Sequence, residues 1–143
     1  MKPLSLTLKN FGPYINETID FTKFEDSSLF LISGKTGSGK TTIFDGMSYA
    51  LFGESSGKLR LGKEMRSTFA DPSEATEVTL LFKHNEYLYE LNRLPEQELF
   101  KKRGTGVRKQ SAKISLIVKD AQGKELRAYS KRREVDELIQ ELL

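Results

Sequence analysis

The 143-residue chain has no cysteine, which excludes disulfides and thiolate metal sites and is compatible with a reducing compartment. It has a single histidine, His84, set in the turn-like stretch KHNEYLY, where it reads as a solvated turn residue rather than a ligand. No run approaches the roughly 18 uncharged apolar residues that span a bilayer, and the opening MKPLSLTLKNF has neither a long apolar core nor a small-residue cleavage site. The expectation is a cytoplasmic protein with no membrane partner. There is no internal repeat. What is present suffices for one domain: 37% of the residues are hydrophobic, enough to bury a core.

The net charge of +3 is unevenly spread. KKRGTGVRKQSAK, from Lys101 to Lys113, holds Lys101, Lys102, Arg103, Arg108, Lys109 and Lys113 and no acid; the rest of the chain has 17 basic and 20 acidic residues. The basic excess therefore lives in one Gly-containing segment, read as a loop. Such a segment can follow a phosphate backbone, with an affinity that falls as salt rises. The alternative is a merely solvated charge run, and no aromatic lies within it to stack on bases.

Hydrophobic periodicity gives the setting. Leu4, Leu6 and Leu8 alternate with polar residues as in a half-buried strand, Phe11-Gly12-Pro13-Tyr14 breaks it, and a second strand from about Ile15 to Phe21 returns as a hairpin. Ser28 to Ser33 is a short apolar run, the mark of a strand buried on both faces. Thr41 to Phe52 predicts a helix with Ile43, Met47, Ala50 and Leu51 on one stripe and Gly53 as its stop. Thr76 to Phe82, with Val78, Leu80 and Phe82 inward, and Tyr87 to Asn92 predict a hairpin around His84-Asn85-Glu86. Tyr87 and Tyr89 read as cross-strand packing rather than a stacking platform. A second hairpin runs from Ala112 to Tyr129 around Asp120-Ala121-Gln122-Gly123. SKRREVDELIQELL places Val135, Leu138, Ile139 and Leu142 on one face of an amphipathic helix, with Ser130 as candidate cap.

Between the apolar run and the first helix lies the motif that carries chemistry. Gly34-Lys35-Thr36-Gly37-Ser38-Gly39-Lys40-Thr41 matches G-x-x-x-x-G-K-[ST], the phosphate-binding loop. The pattern arises by accident in only about 0.5% of chains this long, and here it also sits between a strand-like run and an amphipathic helix, as the mechanism demands. The glycines let successive backbone N–H groups turn inward at phosphate oxygens, and the helix that follows adds the positive end of its dipole. Lys40 would reach the β- and γ-phosphates of a nucleotide, and the Thr41 hydroxyl, followed by Thr42, would ligate Mg²⁺.

Lys9-Asn10-Phe11-Gly12-Pro13, Gly34 to Gly53 and Met65-Arg66-Ser67-Thr68-Phe69-Ala70 together resemble the amino-terminal half of the ATPase head in the SbcC family, the SMC-related ATPase subunits of the SbcC-SbcD nuclease. The resemblance covers nearly the whole chain. It implies an α/β P-loop NTPase of the ABC/SMC type, with mixed and antiparallel strands around a Walker A helix. It implies that Asn10 and Phe11, and Arg66, Ser67 and Thr68, flank the ATP; the alternatives are that Phe11 is plain core and Arg66 a solvated charge. Some members carry an arginine where this chain has Gly12, so one phosphate contact is missing here. The family's partners are a second head, an SbcD-like nuclease subunit and double-stranded DNA. An SMC-like chromosome-organising ATPase without a nuclease partner is the alternative, and a transport cassette a more distant one.

A complete head of this class also needs a Gln-bearing loop, a coiled coil, a signature motif and an apolar strand ending in paired acids. None is found among residues 1–143. The expectation is the amino-terminal lobe of a longer ATPase, whose own carboxy-terminal lobe is a further partner, with no complete catalytic set in this stretch. One consequence is specific to the motif. Lys40→Ala should weaken ATP binding far more than Lys35→Ala, because Lys35 occupies a variable position and points outward; equal losses by titration calorimetry would overturn the role given to Lys40.

Overall fold

A computed structural model describes residues 1–22, 40–53, 66–67 and 71–143. The predicted strand at 28–33 and the glycines of the phosphate loop lie outside the described residues. Six strands form one sheet in the order β2-β1-β3-β4-β7-β8, antiparallel at every junction: β1 (Lys2–Phe11), β2 (Tyr14–Asp20), β3 (Glu77–His84), β4 (Tyr87–Leu94), β7 (Lys113–Lys119) and β8 (Glu125–Tyr129). A separate two-stranded ribbon is made by β5 (Gln97–Phe100) and β6 (Val107–Gln110). Helices α1 (Lys40–Phe52) and α2 (Arg132–Leu142) complete the described elements.

Alternation decides which face of the sheet is covered. Leu6, Leu8, Val78, Leu80, Phe82, Tyr89, Leu91, Leu116 and Val118 all point to one side, and α1 packs there against β1, β3 and β4. Phe82 and Tyr89 are direct cross-strand partners and stack with centroids 4.9 Å apart and planes 4° from parallel. Tyr87, one step nearer the turn on the same face, is 44% exposed and lies outside the core. The hairpin between them needs only Asn85-Glu86, and Asn85 adopts a left-handed φ of 56° that asparagine tolerates well.

The helix α1 buries Ala50 and Leu51 of the predicted stripe and packs Ile43 and Met47 against the core, but its buried face is wider than predicted. Gly46, Tyr49 and Ala50 face the sheet, whereas Ile43 and Met47 are only half-buried. The cause is Gly46: a Cβ there would stand 2.7 Å from Leu8 Cδ2, so the missing side chain lets the helix backbone lie directly on β1. The helix ends as predicted at Gly53, whose φ of +79° suits the left-handed position after a C-terminus and whose N–H donates to Tyr49 O at 2.8 Å.

Two expectations need correction. The cap of α2 is Lys131, not Ser130, and it makes no side-chain capping bond; burial of Val135 and Ile139 against the sheet fixes this helix instead. The basic segment is a loop only in part: 101–106 is the turn of a ribbon, but Val107–Gln110 is a strand that pairs in register with Gln97–Phe100, where Gln97 and Leu99 turn inward and Glu98 and Phe100 outward. A strand of four residues is too short for a polar sequence to reveal its alternation.

The residue that joins α1, β4 and α2 is Arg93. It is 4% exposed, at the inward position two residues beyond Leu91. Its Nε donates to Ala50 O at 2.7 Å, and its Nη2 donates to Leu51 O at 3.3 Å and to Asp136 Oδ1 at 2.9 Å. A buried cation thus meets the negative end of the α1 dipole and is neutralised from α2. Arg93→Met should destabilise the chain by about 2–4 kcal/mol, since two carbonyls and a carboxylate lose their donor. Asp136→Asn should cost no more than about 1 kcal/mol, because Asp136 is partly solvated. Urea midpoints of the two variants check this, and an Arg93→Met midpoint equal to the parent's would remove Arg93 from its role.

Candidate functional site

The turn between β1 and β2 is held against the first turn of α1. Asn10 (φ 52°) and Gly12 (φ 56°) both take left-handed conformations, and the strands rejoin at Phe11 and Tyr14. A Cβ on Gly12 would come within 2.5 Å of Thr42 Cγ2. Both the positive φ and this contact favour glycine, so the arginine expected at this position in some relatives would demand a different turn. Gly12 therefore lets the turn close onto Thr42, two residues after Lys40.

Asn10 is the hub of the turn. Its Nδ2 donates to Ala75 O at 2.8 Å, and its carbonyl accepts from Ser67 N and from Thr76 Oγ1, each at 2.8 Å. Phe11 forms an isolated antiparallel bridge with Arg66, so two segments more than fifty residues apart, 10–11 and 66–67, lie side by side. Phe11 itself is wholly buried, its ring 6.3 Å from that of Tyr49. Its side chain serves the core beneath the turn, as one of its two sequence readings anticipated.

Arg66 is not a free surface charge. Its Nη1 donates to Thr76 Oγ1 at 3.2 Å and Gln97 Oε1 at 3.3 Å, and its Nη2 to Asp71 O at 2.9 Å. Partial burial pulls the guanidinium below its ordinary pKa, against the Asp71 carboxylate, which raises it. Asp71 is in turn held below the usual carboxylate range, first by the Ser73 backbone N–H and then by the Ser73 hydroxyl. Gln97 closes the network: its Oε1 accepts from Thr76 N at 2.8 Å and its Nε2 donates to Thr76 O at 3.1 Å, so a side-chain amide replaces a strand partner for Thr76.

Of the remaining sequence candidates, Gly34, Lys35, Thr36, Gly37, Ser38, Gly39 and Thr68 lie outside the described residues. Lys40 and Thr41 open α1, whose first turn carries no acid to oppose an anion. Lys101, Lys102 and Arg103 are exposed at the tip of the β5–β6 ribbon, Arg108 and Lys109 are exposed on β6, and Lys113 is exposed at the start of β7. Lys102 pairs with Glu74 at 3.1 Å, Lys109 with Glu96 at 2.8 Å, and Arg108 donates to Gln110 Oε1 at 2.9 Å. Among the described residues no group of three His, Asp or Glu side chains is arranged to hold a metal, and no helix is long and apolar enough to cross a membrane.

Sequence reading passed over Thr76, Gln97 and Arg93. A cation at an inward position of a strand alternation was the available signal for Arg93; Thr76 and Gln97 matter only because the chain folds them onto Asn10 and Arg66.

Comparison with known proteins defines the class. Residues 5–142 match the AAA domain family; the chain belongs to that family, and membership implies ATP binding. Three of the similar proteins are of one kind. The SbcC subunit of the nuclease SbcCD from Lactococcus lactis is 50% identical over 119 residues, 82% of this chain and 11% of that protein. Its Vibrio cholerae counterpart is 46% identical over 127 residues, 88% of this chain and 12% of that protein, and one from Staphylococcus aureus is 54% identical over 93 residues, 65% and 9%. The chain thus spans about a tenth of the length of the curated relatives it matches, and they bear out the resemblance to the SbcC family. A chain solved in a study of ATP-driven dimerization and DNA stimulated activation of SMC ATPases aligns over 98% of this chain and 78% of that one, at 18% identity and a TM-score of 0.48.

The network around Thr76 gives a measurable expectation. Gln97→Leu keeps the size of the side chain but strands the Thr76 backbone pair and one acceptor of Arg66, and should cost about 1–3 kcal/mol in stability. Hydrogen exchange at Ser67 and Thr76 should accelerate with it, and unchanged protection at both amides would show that the network holds nothing in place.

Proposed function

We propose that the chain is the ATP-binding lobe of an SbcC-like DNA-repair ATPase that gates a partner nuclease on double-stranded DNA ends and hairpins. The observation that carries the reading is a G-x-x-x-x-G-K-[ST] motif that runs straight into α1 at Lys40, with an acid-free first helical turn and the Asn10–Gly12 turn closed onto Thr42. These residues suit a polyphosphate: the backbone N–H groups from Gly34 to Gly39 and the helix dipole favour the anion, Lys40 adds a point charge, and the Thr41 hydroxyl, beside Thr42, offers a hard oxygen for Mg²⁺. Mg²⁺, when bound, neutralises charge on the phosphates. Asn10, Arg66 and Ser67 shape the neighbouring wall, with Asn10, Ser67 and Thr76 fixing its backbone and Phe11 packed behind it.

Hydrolysis belongs to a larger assembly in this reading. The chain is an amino-terminal lobe, completed by its own carboxy-terminal lobe and by a second head whose signature motif closes the site. Partnership with an SbcD-like nuclease is supported by the names of the relatives. Contact with double-stranded DNA falls to Lys101, Lys102, Arg103, Arg108, Lys109 and Lys113 on and beside the ribbon. Two of the six already have acidic neighbours, and the other four have no salt-bridge partner among the described residues and can meet phosphates. The SMC-like alternative shares the nucleotide chemistry and lacks the nuclease.

Turnover separates this from a small self-sufficient enzyme. Activating water needs a held metal, a positioned water and compensation of charge on the γ-phosphate, and the chain offers only Lys40, Thr41 and the loop's N–H groups. Purified alone, it should bind ATP without measurable hydrolysis; mixed with the carboxy-terminal lobe of its parent, it should hydrolyse ATP in a Lys40-dependent way. Robust Lys40-dependent turnover by the chain alone would overturn the reading.

A further inference from the structure

The β5–β6 ribbon carries an exposed apolar pair beside its cations. Phe100 and Val107 are direct cross-strand partners, so they share the face opposite the buried Leu99. They stay 56% and 47% exposed, and among the described residues no other two of the large exposed hydrophobics are strand partners. In the sequence Phe100 stands one position before the basic segment, which on its own has no aromatic. The strand pairing sets Phe100 and Val107 together at the rim of the cationic turn 101–106.

The pair has a firm support and an open approach. Leu99 is wholly buried, Gln97 is bonded to both backbone groups of Thr76, the Phe100 N–H donates to Pro72 O at 2.9 Å, and the Lys101 N–H donates to Gly106 O at 3.0 Å. In the turn, Gly104 and Gly106 take φ values of 80° and 105°, and a Cβ on either would meet nothing within 4 Å. Charge is polarised along the ribbon. At its inner end Glu98 shares the face of Phe100 and Glu96 engages Lys109. At the turn Lys102 engages Glu74, whereas Lys101 and Arg103 are exposed with no salt-bridge partner among the described residues. An occupant must therefore be anionic where it meets the turn and flat where it meets the Phe100 ring. A nucleotide in an unpaired strand has both features. An acidic side chain offers the charge without the flat face, and in a closed duplex the bases are stacked on one another.

We propose that the ribbon tip holds an unpaired nucleotide of a DNA strand, its phosphate on Lys101 and Arg103 and its base stacked on Phe100 beside Val107. The contact with DNA rests on the proposed function; the stacking, and the preference it confers for an unpaired strand over a closed duplex, go beyond it. Every base has a π-face, so this contact reads strandedness and not sequence.

The chain has no tryptophan, so Phe100→Trp supplies a fluorescent reporter at the proposed contact. At low salt, oligothymidine should quench the emission of this variant saturably, and an abasic strand of the same length and polyglutamate should not. In anisotropy titrations Phe100→Ala, an exposed substitution that keeps the circular dichroism of the parent, should weaken oligothymidine by about fivefold or more. It should leave the abasic strand, a blunt duplex and the salt slope unchanged. Lys101→Gln with Arg103→Gln should instead flatten the log-log salt dependence by roughly 0.7 per lost contact. Binding of every DNA with no quenching and no response to Phe100→Ala would remove the stacking and keep the cationic contact. Failure of all DNA to bind would remove both, and quenching by polyglutamate as strong as by oligothymidine would give this face to an acidic protein and overturn the nucleotide.

Discussion

The clasp of Arg93 on the end of α1 is the interaction on which the rest of the arrangement depends. In the proposed reading α1 presents its N-terminus to a polyphosphate, and its other end must then be fixed, because a rotation at one end misaims the N–H groups at the other. Gly46 brings α1 onto Leu8, and Arg93 holds the carbonyls of Ala50 and Leu51 from β4. The charge is kept buried because Asp136 arrives from α2 to answer it. Removing Arg93 would leave the helix-end carbonyls without their donor, whereas Asp136 is partly solvated and its removal costs less.

The front of α1 is fixed by different means. There the constraint is steric and backbone-based: two left-handed residues, Asn10 and Gly12, fold the β1–β2 turn so that Gly12 meets Thr42. The Asn10 carbonyl, turned aside by its unusual φ, is then satisfied twice, by Ser67 and Thr76. One strained turn thus recruits the segment at 66–67 and, through Thr76, Gln97 and Arg66, the base of the β5–β6 ribbon.

Much of this was legible in the sequence. The strands β1, β3, β4 and β7 announce themselves by period-2 alternation, and the helices by their apolar spacing and by Gly53. The phosphate loop is legible because its chemistry demands a fixed spacing. The SbcC-like segments pointed to Asn10, Phe11, Arg66 and Ser67 as neighbours of one site, and the fold does bring these four together. Illegible were the features that arise only on folding. Gly46 brings the α1 backbone onto β1, the four-residue β6 hides in a basic segment, and Gln97 acts as a strand partner through its side chain.

The two ends of α1 also differ in the chemistry that can meet them, and that difference has a physical reason. At the N-terminus the backbone itself supplies the donors, so side chains there need only avoid negative charge, and Lys40-Thr41-Thr42 does so. At the C-terminus the backbone supplies acceptors, so a cation must come from elsewhere in the chain, and a guanidinium brings five donors where three acceptors wait. A lysine would have stabilised the dipole with a compact charge and fewer donors; arginine holds α1 and α2 at once.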